Sequence, residues 1–410
     1  MSGAVRCRAC DDPRLEPIVS LGRMPLANSY LLPEELTQPE PRYPLDLVRC
    51  VACSLVQITE VVPPEILFRD YLYFSSYSST MVAHAEAIAT RLVKERGLGP
   101  GSLAVEVASN DGYLLQFYRR AGVPVLGIEP ARNVAEVAIR ERGVRTLADF
   151  FDAKLAAELA ARGERADVIH ANNVLAHVAD LNGVVSGFRT LLKDDGVVVC
   201  ESPYLHSFIS QIEFDTIYHE HLYYYSLTAL DRLFRRHGLV IEDCERLSIH
   251  GGSLRIFARR EEVASVRASV QTLLAEEAAW GIDTRAPYAQ FAAGVERVKS
   301  ELVRLVRDLR AAGQTVCAYG AAAKGTVLLN ATGLGREDLA FVCDRNPHKQ
   351  GRVMPGVHVP IVPPEKMLAE RPSHCLLLVW NLADEVMAQQ AEYRAGGGKF
   401  ILPIPKPVVV

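Results

Sequence analysis

Short apolar runs alternate with amphipathic stretches through the middle of the chain. Leu103-Ala104-Val105-Glu106-Val107-Ala108 leads into the polar turn Ser109-Asn110-Asp111-Gly112, a helical pattern over Tyr113 to Ala121, and then Val125-Leu126-Gly127-Ile128-Glu129. Runs this short, bounded by glycine and polar residues, read as buried strands, and their alternation with helices predicts a parallel sheet covered on both faces. Asp167 to Ala171 and Gly196 to Cys200 supply later strands of the same sheet. After Arg255-Ile256-Phe257-Ala258 comes a charged, alanine-rich stretch with helical periodicity, Glu261 to Ala312. A second strand, small-residue turn and helix follow at Thr315 to Gly325, with further strands over Leu339 to Asp344 and Cys375 to Trp380. The pattern divides the chain into a small front domain (1–64), an α/β domain (65–262), a helical linker (263–298) and a second Rossmann-like domain (299–410).

Composition narrows the partners. The 410 residues carry a net charge of -4, with 49% hydrophobic and 23% charged positions, so no excess of lysine and arginine points to nucleic acid. No apolar run approaches the roughly 20 residues that span a bilayer, which argues against a membrane partner. The N-terminus lacks the apolar core of a secretory signal, and a cytoplasmic protein with reduced thiols is expected.

Reduced thiols leave the nine cysteines to be explained without disulfides. Cys200, Cys244, Cys317, Cys343 and Cys375 stand singly, mostly in apolar runs, and read as packing. Cys7-Arg8-Ala9-Cys10 and Cys50-Val51-Ala52-Cys53 form two Cys-x-x-Cys pairs. Four thiolates close a tetrahedral zinc site with no position left for substrate, so the metal is expected to be structural. It would compensate for a front segment too short to build its own core. A thioredoxin-like redox pair is the weaker reading, because no strand–helix pattern frames either motif.

In parallel sheets ligands bind at the carboxyl ends of the strands. The turn Ala108-Ser109-Asn110-Asp111-Gly112 lies at one such end, with Glu106 in the strand before it. Glu129 closes the next strand about 20 residues on, where a carboxylate accepts hydrogen bonds from ribose hydroxyls and repels a 2′-phosphate. Asp149-Phe150 offers an acceptor and an aromatic face to adenine, and Asn172-Asn173 ends a further strand. Nicotinamide dehydrogenases share this geometry, but their pyrophosphate turn wants three glycines and this one has Gly112 alone. A nucleoside cofactor without pyrophosphate, S-adenosylmethionine, fits better.

The densest chemistry is Tyr218-His219-Glu220-His221. A phenol, a carboxylate and two imidazoles in succession suit proton transfer near neutral pH, or alternatively a metal or a buried polar knot. His177 lies just past a strand end, and Tyr71, Tyr73 and Tyr77 form an aromatic stretch that could simply pack on the sheet; a core role is expected for Tyr223, Tyr224 and Tyr225. In the second Rossmann-like unit, Lys324 could contact a phosphate or be a solvated helix residue, and Asp344 sits where a dinucleotide-binding carboxylate would lie.

Taken in order, the two cysteine pairs, Met24-Pro25-Leu26-Ala27-Asn28, Leu55-Val56-Gln57, Tyr71-Leu72-Tyr73, Val105 to Gly112, Asn173-Val174-Leu175-Ala176-His177-Val178 and Tyr218 to His221 resemble one family over essentially the whole chain. It is that of S-adenosylmethionine-dependent C-methyltransferases acting on dTDP-linked keto-deoxysugars in antibiotic biosynthesis. The resemblance implies a class I methyltransferase sheet between a zinc-binding front domain and a C-terminal domain that helps hold the nucleotide sugar. It places the base at His221, with Tyr218, Glu220, His177 and Tyr73 at matching active-site positions. The substrate would meet Asn28, Ser29 and Lys324, and the oligomeric state stays open, a monomer included. Ala108 departs from the family pattern, where glycine is usual. Two other readings stay open: a nicotinamide-dependent nucleotide-sugar oxidoreductase, and a non-catalytic zinc-stabilised nucleotide-sugar binding protein.

Overall fold

A computed structural model describes residues 5–67 and 74–410. The front segment is an antiparallel sheet of β1 (Leu15–Pro25), β2 (Arg42–Cys50) and β3 (Val56–Ile58). Each Cys-x-x-Cys pair is followed at once by a residue in the left-handed region, Asp11 (φ 62°) and Ser54 (φ 62°), which turns the chain back on itself.

The central sheet uses β4 (Ala104–Val107), β5 (Val125–Ile128), β6 (Thr146–Leu147), β7 (Ala166–Asn172) and β8 (Leu192–Pro203) as parallel strands. The short strand β9 (Tyr223–Tyr224) leaves this region and pairs antiparallel with β3, making the front sheet four-stranded. A hairpin of β10 (Leu239–Leu247) and β11 (Ser253–Arg260) then closes the central sheet antiparallel to β8, giving the order β10-β11-β8-β7-β4-β5-β6. Strands buried on both faces explain why these segments read as unbroken apolar runs. Gly127 in β5 has a packing reason: a Cβ there would collide with Ser109 Oγ, in the turn after β4.

Two helices follow, Ala268–Trp280 and Ala286–Ala311. The second buries Phe291, Val295, Val298, Leu302 and Val306 at three- and four-residue spacing, and Gly294 lets Ile212 approach. It runs unbroken through residue 298, so the stretch read as linker and the last unit share one helix. The C-terminal sheet combines β12 (Val316–Tyr319), β13 (Val342–Cys343), β14 (Ile361–Val362), β15 (His374–Leu377), β16 (Lys399–Leu402) and β17 (Val408–Val409). Its order, β14-β13-β12-β15-β16-β17, is the doubly wound 3-2-1-4-5-6 arrangement with the last strand antiparallel. The five single cysteines are buried, as are Tyr223, Tyr224 and Tyr225, whereas Tyr77 is exposed and does not pack on the sheet. Tyr71 and Tyr73 lie outside the described residues.

Candidate active site

The four front cysteines converge, with all Sγ atoms within 4.8 Å of one another. Cys7 and Cys53 are 3.4 Å apart and Cys10 and Cys50 3.5 Å. Tetrahedral zinc with Zn–S of about 2.3 Å spaces its sulfurs about 3.8 Å apart, so the set fits a closed structural ion with little rearrangement. Around it, Gln57 accepts the Arg8 N–H at 3.0 Å, and Asn182 of the central unit donates to the Arg8 carbonyl at 2.7 Å.

At the end of β4 the chain makes an unusual turn: Ala108 (φ 53°), Asn110 (φ 48°) and Gly112 (φ 77°) are left-handed at alternate positions. Three such positions are therefore occupied by one glycine, one asparagine, which tolerates the region, and one alanine, which does not do so readily. The Asn110 and Ala131 N–H groups both donate to Glu129, at 2.9 Å each, tying the turn to the end of β5. The Ser75 N–H donates to Asn110 Oδ1 at 2.8 Å, and the Ser76 hydroxyl donates to Asp111, whose carboxylate also lies 3.3 Å from Arg142. Burial pushes the carboxyls of Glu106 and Glu129 up, helped at Glu106 by the charges of Glu129 and Asp111.

Glu106, Ala108, Asn110, Asp111, Gly112 and Glu129 thus meet around one turn. Asp149 and Phe150, both exposed, stand just beyond β6, and Asn172 and Asn173 at the end of β7. Glu106 Oε2, Asp111 Oδ1 and Asn172 Oδ1 are buried acceptors without a hydrogen-bond partner among the described residues. Such an acceptor set fits the ammonium and ribose hydroxyls of S-adenosylmethionine and opposes a phosphate.

The Tyr218 to His221 segment follows a 3-10 turn over Phe214–Thr216. His221 Nδ1 lies 3.0 Å from the Thr216 carbonyl, which only accepts, so Nδ1 carries the proton and Nε2 presents its lone pair to the Tyr218 hydroxyl at 2.8 Å. The His177 ring packs edge-on against His221 with centroids 5.0 Å apart. Burial pushes His221 down to about 3, reinforced by His177 and Lys324, and burial pushes His177 down to about 4. Glu220 is raised to about 7 by burial, against which the Asn28 amide works by donating to Oε1 at 2.7 Å. His219 is committed elsewhere, with Nε2 3.1 Å from the Pro44 carbonyl in β2.

All three units meet here. Lys324, half-buried in the first turn of the helix Ala323–Thr332, donates to Asn381 Oδ1 at 3.0 Å and sits 4.5 Å above the Trp380 ring. It is not a solvated helix residue. The Trp380 indole N–H donates to the buried Asp215 carboxylate at 2.7 Å, and burial with the Asp215 charge raises Glu213 to about 7. From the front unit, Asn28 and Ser29 are exposed, and the Tyr30 hydroxyl donates to the Ala321 carbonyl at 2.6 Å. Sequence reasoning missed Glu213, Asp215, Tyr30 and Trp380. The first two sit in the run leading to Tyr218, where two acids flanking a phenylalanine were a usable signal; Tyr30 and Trp380 meet the site only through tertiary packing.

Known proteins match the chain along its length. A zinc binding domain description matches residues 7–68, a methyltransferase domain residues 81–243, and a C-methyltransferase C-terminal domain residues 248–405. The C-methyltransferase NovU of Streptomyces niveus is 39% identical over 405 residues, 98% of this chain and 96% of that protein. The ubiquinone biosynthesis O-methyltransferase of Bartonella quintana (strain Toulouse) is 30% identical over 94 residues, 23% of this chain and 38% of its own. The crystal structure of magnesium protoporphyrin IX methyltransferase from Synechocystis PCC 6803 aligns at 15% identity over 48% of this chain and 88% of that one, with a TM-score of 0.35. Matched from its cysteine knuckles to its last sheet, the chain belongs to the S-adenosylmethionine-dependent C-methyltransferases.

Proposed function

We propose that the protein methylates C3 of a dTDP-linked 4-keto-deoxysugar. The observation that carries the reading is the Tyr218–His221–His177 cluster, with an imidazole lone pair held ready beside a phenol. The sugar nucleotide is supported by the family resemblance and by the second doubly wound sheet, which turns Lys324 toward the same cluster. S-adenosylmethionine, held by the turn after β4 and Glu129, supplies an electrophilic methyl group.

A carbon nucleophile needs a neighbouring ketone. His221 Nε2 takes the C3 proton, and the electron pair left behind moves onto the C4 oxygen as an enolate. The Tyr218 hydroxyl turns from His221 to donate to that oxygen. The enolate carbon would then bond to the methyl group as the methyl–sulfur bond breaks, the electron pair of that bond staying on the departing neutral thioether and the C4 ketone re-forming. Glu220 orients one imidazole, His177, through its backbone, while Thr216 and Tyr218 hold His221, and Tyr73 joins the site by resemblance.

Magnitudes show why a donor is required. An imidazole held near 3 instead of 6.5 is a weaker base by about 5 kcal/mol. Preorganised donors to an oxyanion return about 2.7 to 4 kcal/mol each. Tyr218, already hydrogen-bonded to His221, supplies such a donor. The reading is tested by incubating the enzyme with S-adenosylmethionine and a panel of dTDP-4-keto sugars, then locating the methyl group by mass spectrometry and NMR. Binding of nicotinamide cofactor in place of S-adenosylmethionine, or a methyl on oxygen, would overturn it.

A further inference from the structure

A loop of the zinc unit reaches between the two Rossmann-like units. Its backbone is anchored to the C-terminal unit, where the Thr326 hydroxyl donates to the Ala27 carbonyl at 2.9 Å and Arg352 to the Tyr30 carbonyl at 3.1 Å. Leu31 also forms a bridge with Val353. The Tyr30 hydroxyl donates to the Ala321 carbonyl, which Lys349 Nζ also reaches at 2.6 Å, and lies 3.3 Å from Asn28 Oδ1. The other end of the same amide, Asn28 Nδ2, donates to Glu220 Oε1 at 2.7 Å. The single Tyr30 hydroxyl proton, shared between the Ala321 carbonyl and Asn28 Oδ1, therefore ties the turn after β12 to the Asn28 amide and, through it, to the Glu220 carboxylate.

We propose that Asn28 is a positioning residue, which fixes the orientation and charge of Glu220 from the zinc unit and links them to the turn at Ala321. The proposal rests on the role given to Glu220 in the proposed function, and makes the front unit a working wall of the site as well as a support. The physical reason is that Glu220 is buried and the Asn28 N–H is the side-chain donor that favours its ionised form. Tyr30 from the front loop also faces the carboxyl, His177 from the turn after β7 meets the Glu220 backbone instead, and Tyr218 and His221 share its own segment.

The test uses the zinc-loaded full-length protein. Glutamate side-chain carboxyls are labelled with carbon-13, the Glu220 resonance is assigned with Glu220→Gln, and its titration is followed in the parent, Asn28→Ala and Tyr30→Phe. Loss of a hydrogen bond to a charged group should move the Glu220 midpoint up by about one to two pH units in Asn28→Ala, with a smaller rise in Tyr30→Phe. Turnover at neutral pH should fall about 5- to 50-fold in kcat with KM for the sugar nearly unchanged, and recover as pH rises. An unmoved midpoint in folded, zinc-replete Asn28→Ala overturns the proposal. A moved midpoint with parental kcat at every pH would confirm the positioning and instead remove Glu220 from the chemistry.

Discussion

Ala108 offers a sharp test of the cofactor turn. Its φ of 53° places a residue with a Cβ where the chain prefers glycine. The left-handed conformation costs an L-residue about 1 to 2 kcal/mol, and Ala108→Gly removes that cost. The freer unfolded chain takes back about 0.4 to 1 kcal/mol. The balance is a stabilisation between about 0 and 1.6 kcal/mol for a substitution that usually weakens a protein. Urea unfolding of the parent and variant, followed through the transition that S-adenosylmethionine shifts, measures it. Ala108 is half-buried, so cofactor affinity measured by calorimetry should hold or tighten. Ala108→Val, with a branched side chain in the same region, should be destabilised. If Ala108→Gly loses more than about 1 kcal/mol, the alternation of left-handed positions is not what shapes this turn.

Tyr218→Phe should lower kcat roughly 100- to 1000-fold with little change in sugar binding, as steady-state kinetics would show. In His221→Asn, exchange of the sugar's α-proton with deuterated water should collapse; exchange at the parental rate would assign the base elsewhere. Removing zinc with a chelator should raise hydrogen exchange at Tyr223 and Tyr224 together with Val56 to Ile58, because β3 and β9 share one ladder; protected β9 amides in the metal-free protein would contradict this. His170 is fully buried beside Tyr118, and burial pushes it down to about 3, so between pH 6.5 and 3 the unfolded chain binds a proton that the folded one refuses. Stability from this group is therefore lost as pH falls below 6.5, at up to about 1.4 kcal/mol per unit, and His170→Gln should flatten the slope by that amount. Equal slopes for the two proteins would exclude it.

The strands of both Rossmann-like sheets were legible because burial on two faces writes an unbroken apolar run, as in Val197 to Cys200 and Leu376 to Leu378. The cysteine knuckles were legible because two Cys-x-x-Cys pairs supply four thiolates and no strand–helix pattern frames either of them for redox chemistry. The turn after β4 was harder: counting glycines found Gly112, yet φ is positive at Ala108 and Asn110 too, and residue type only hints at conformation there. The Tyr218 to His221 cluster stood out by composition, but nothing local distinguishes His219, which turns to Pro44, from His221. Contacts such as Asn28 with Glu220 and Trp380 with Asp215 join residues far apart in the chain, and no periodicity reports them.

The pairing of β3 with β9 also constrains how the protein is made. On a ribosome adding about 5 to 20 residues per second, the strand at Val56–Ile58 waits roughly 10 to 30 seconds for Tyr223–Tyr224 to emerge. Through that interval its outer edge is an open template for any passing strand. The metal knuckles can be captured early, but the amino-terminal piece is not a portable module: cut away or grafted onto another enzyme, it would carry a permanently unfinished border.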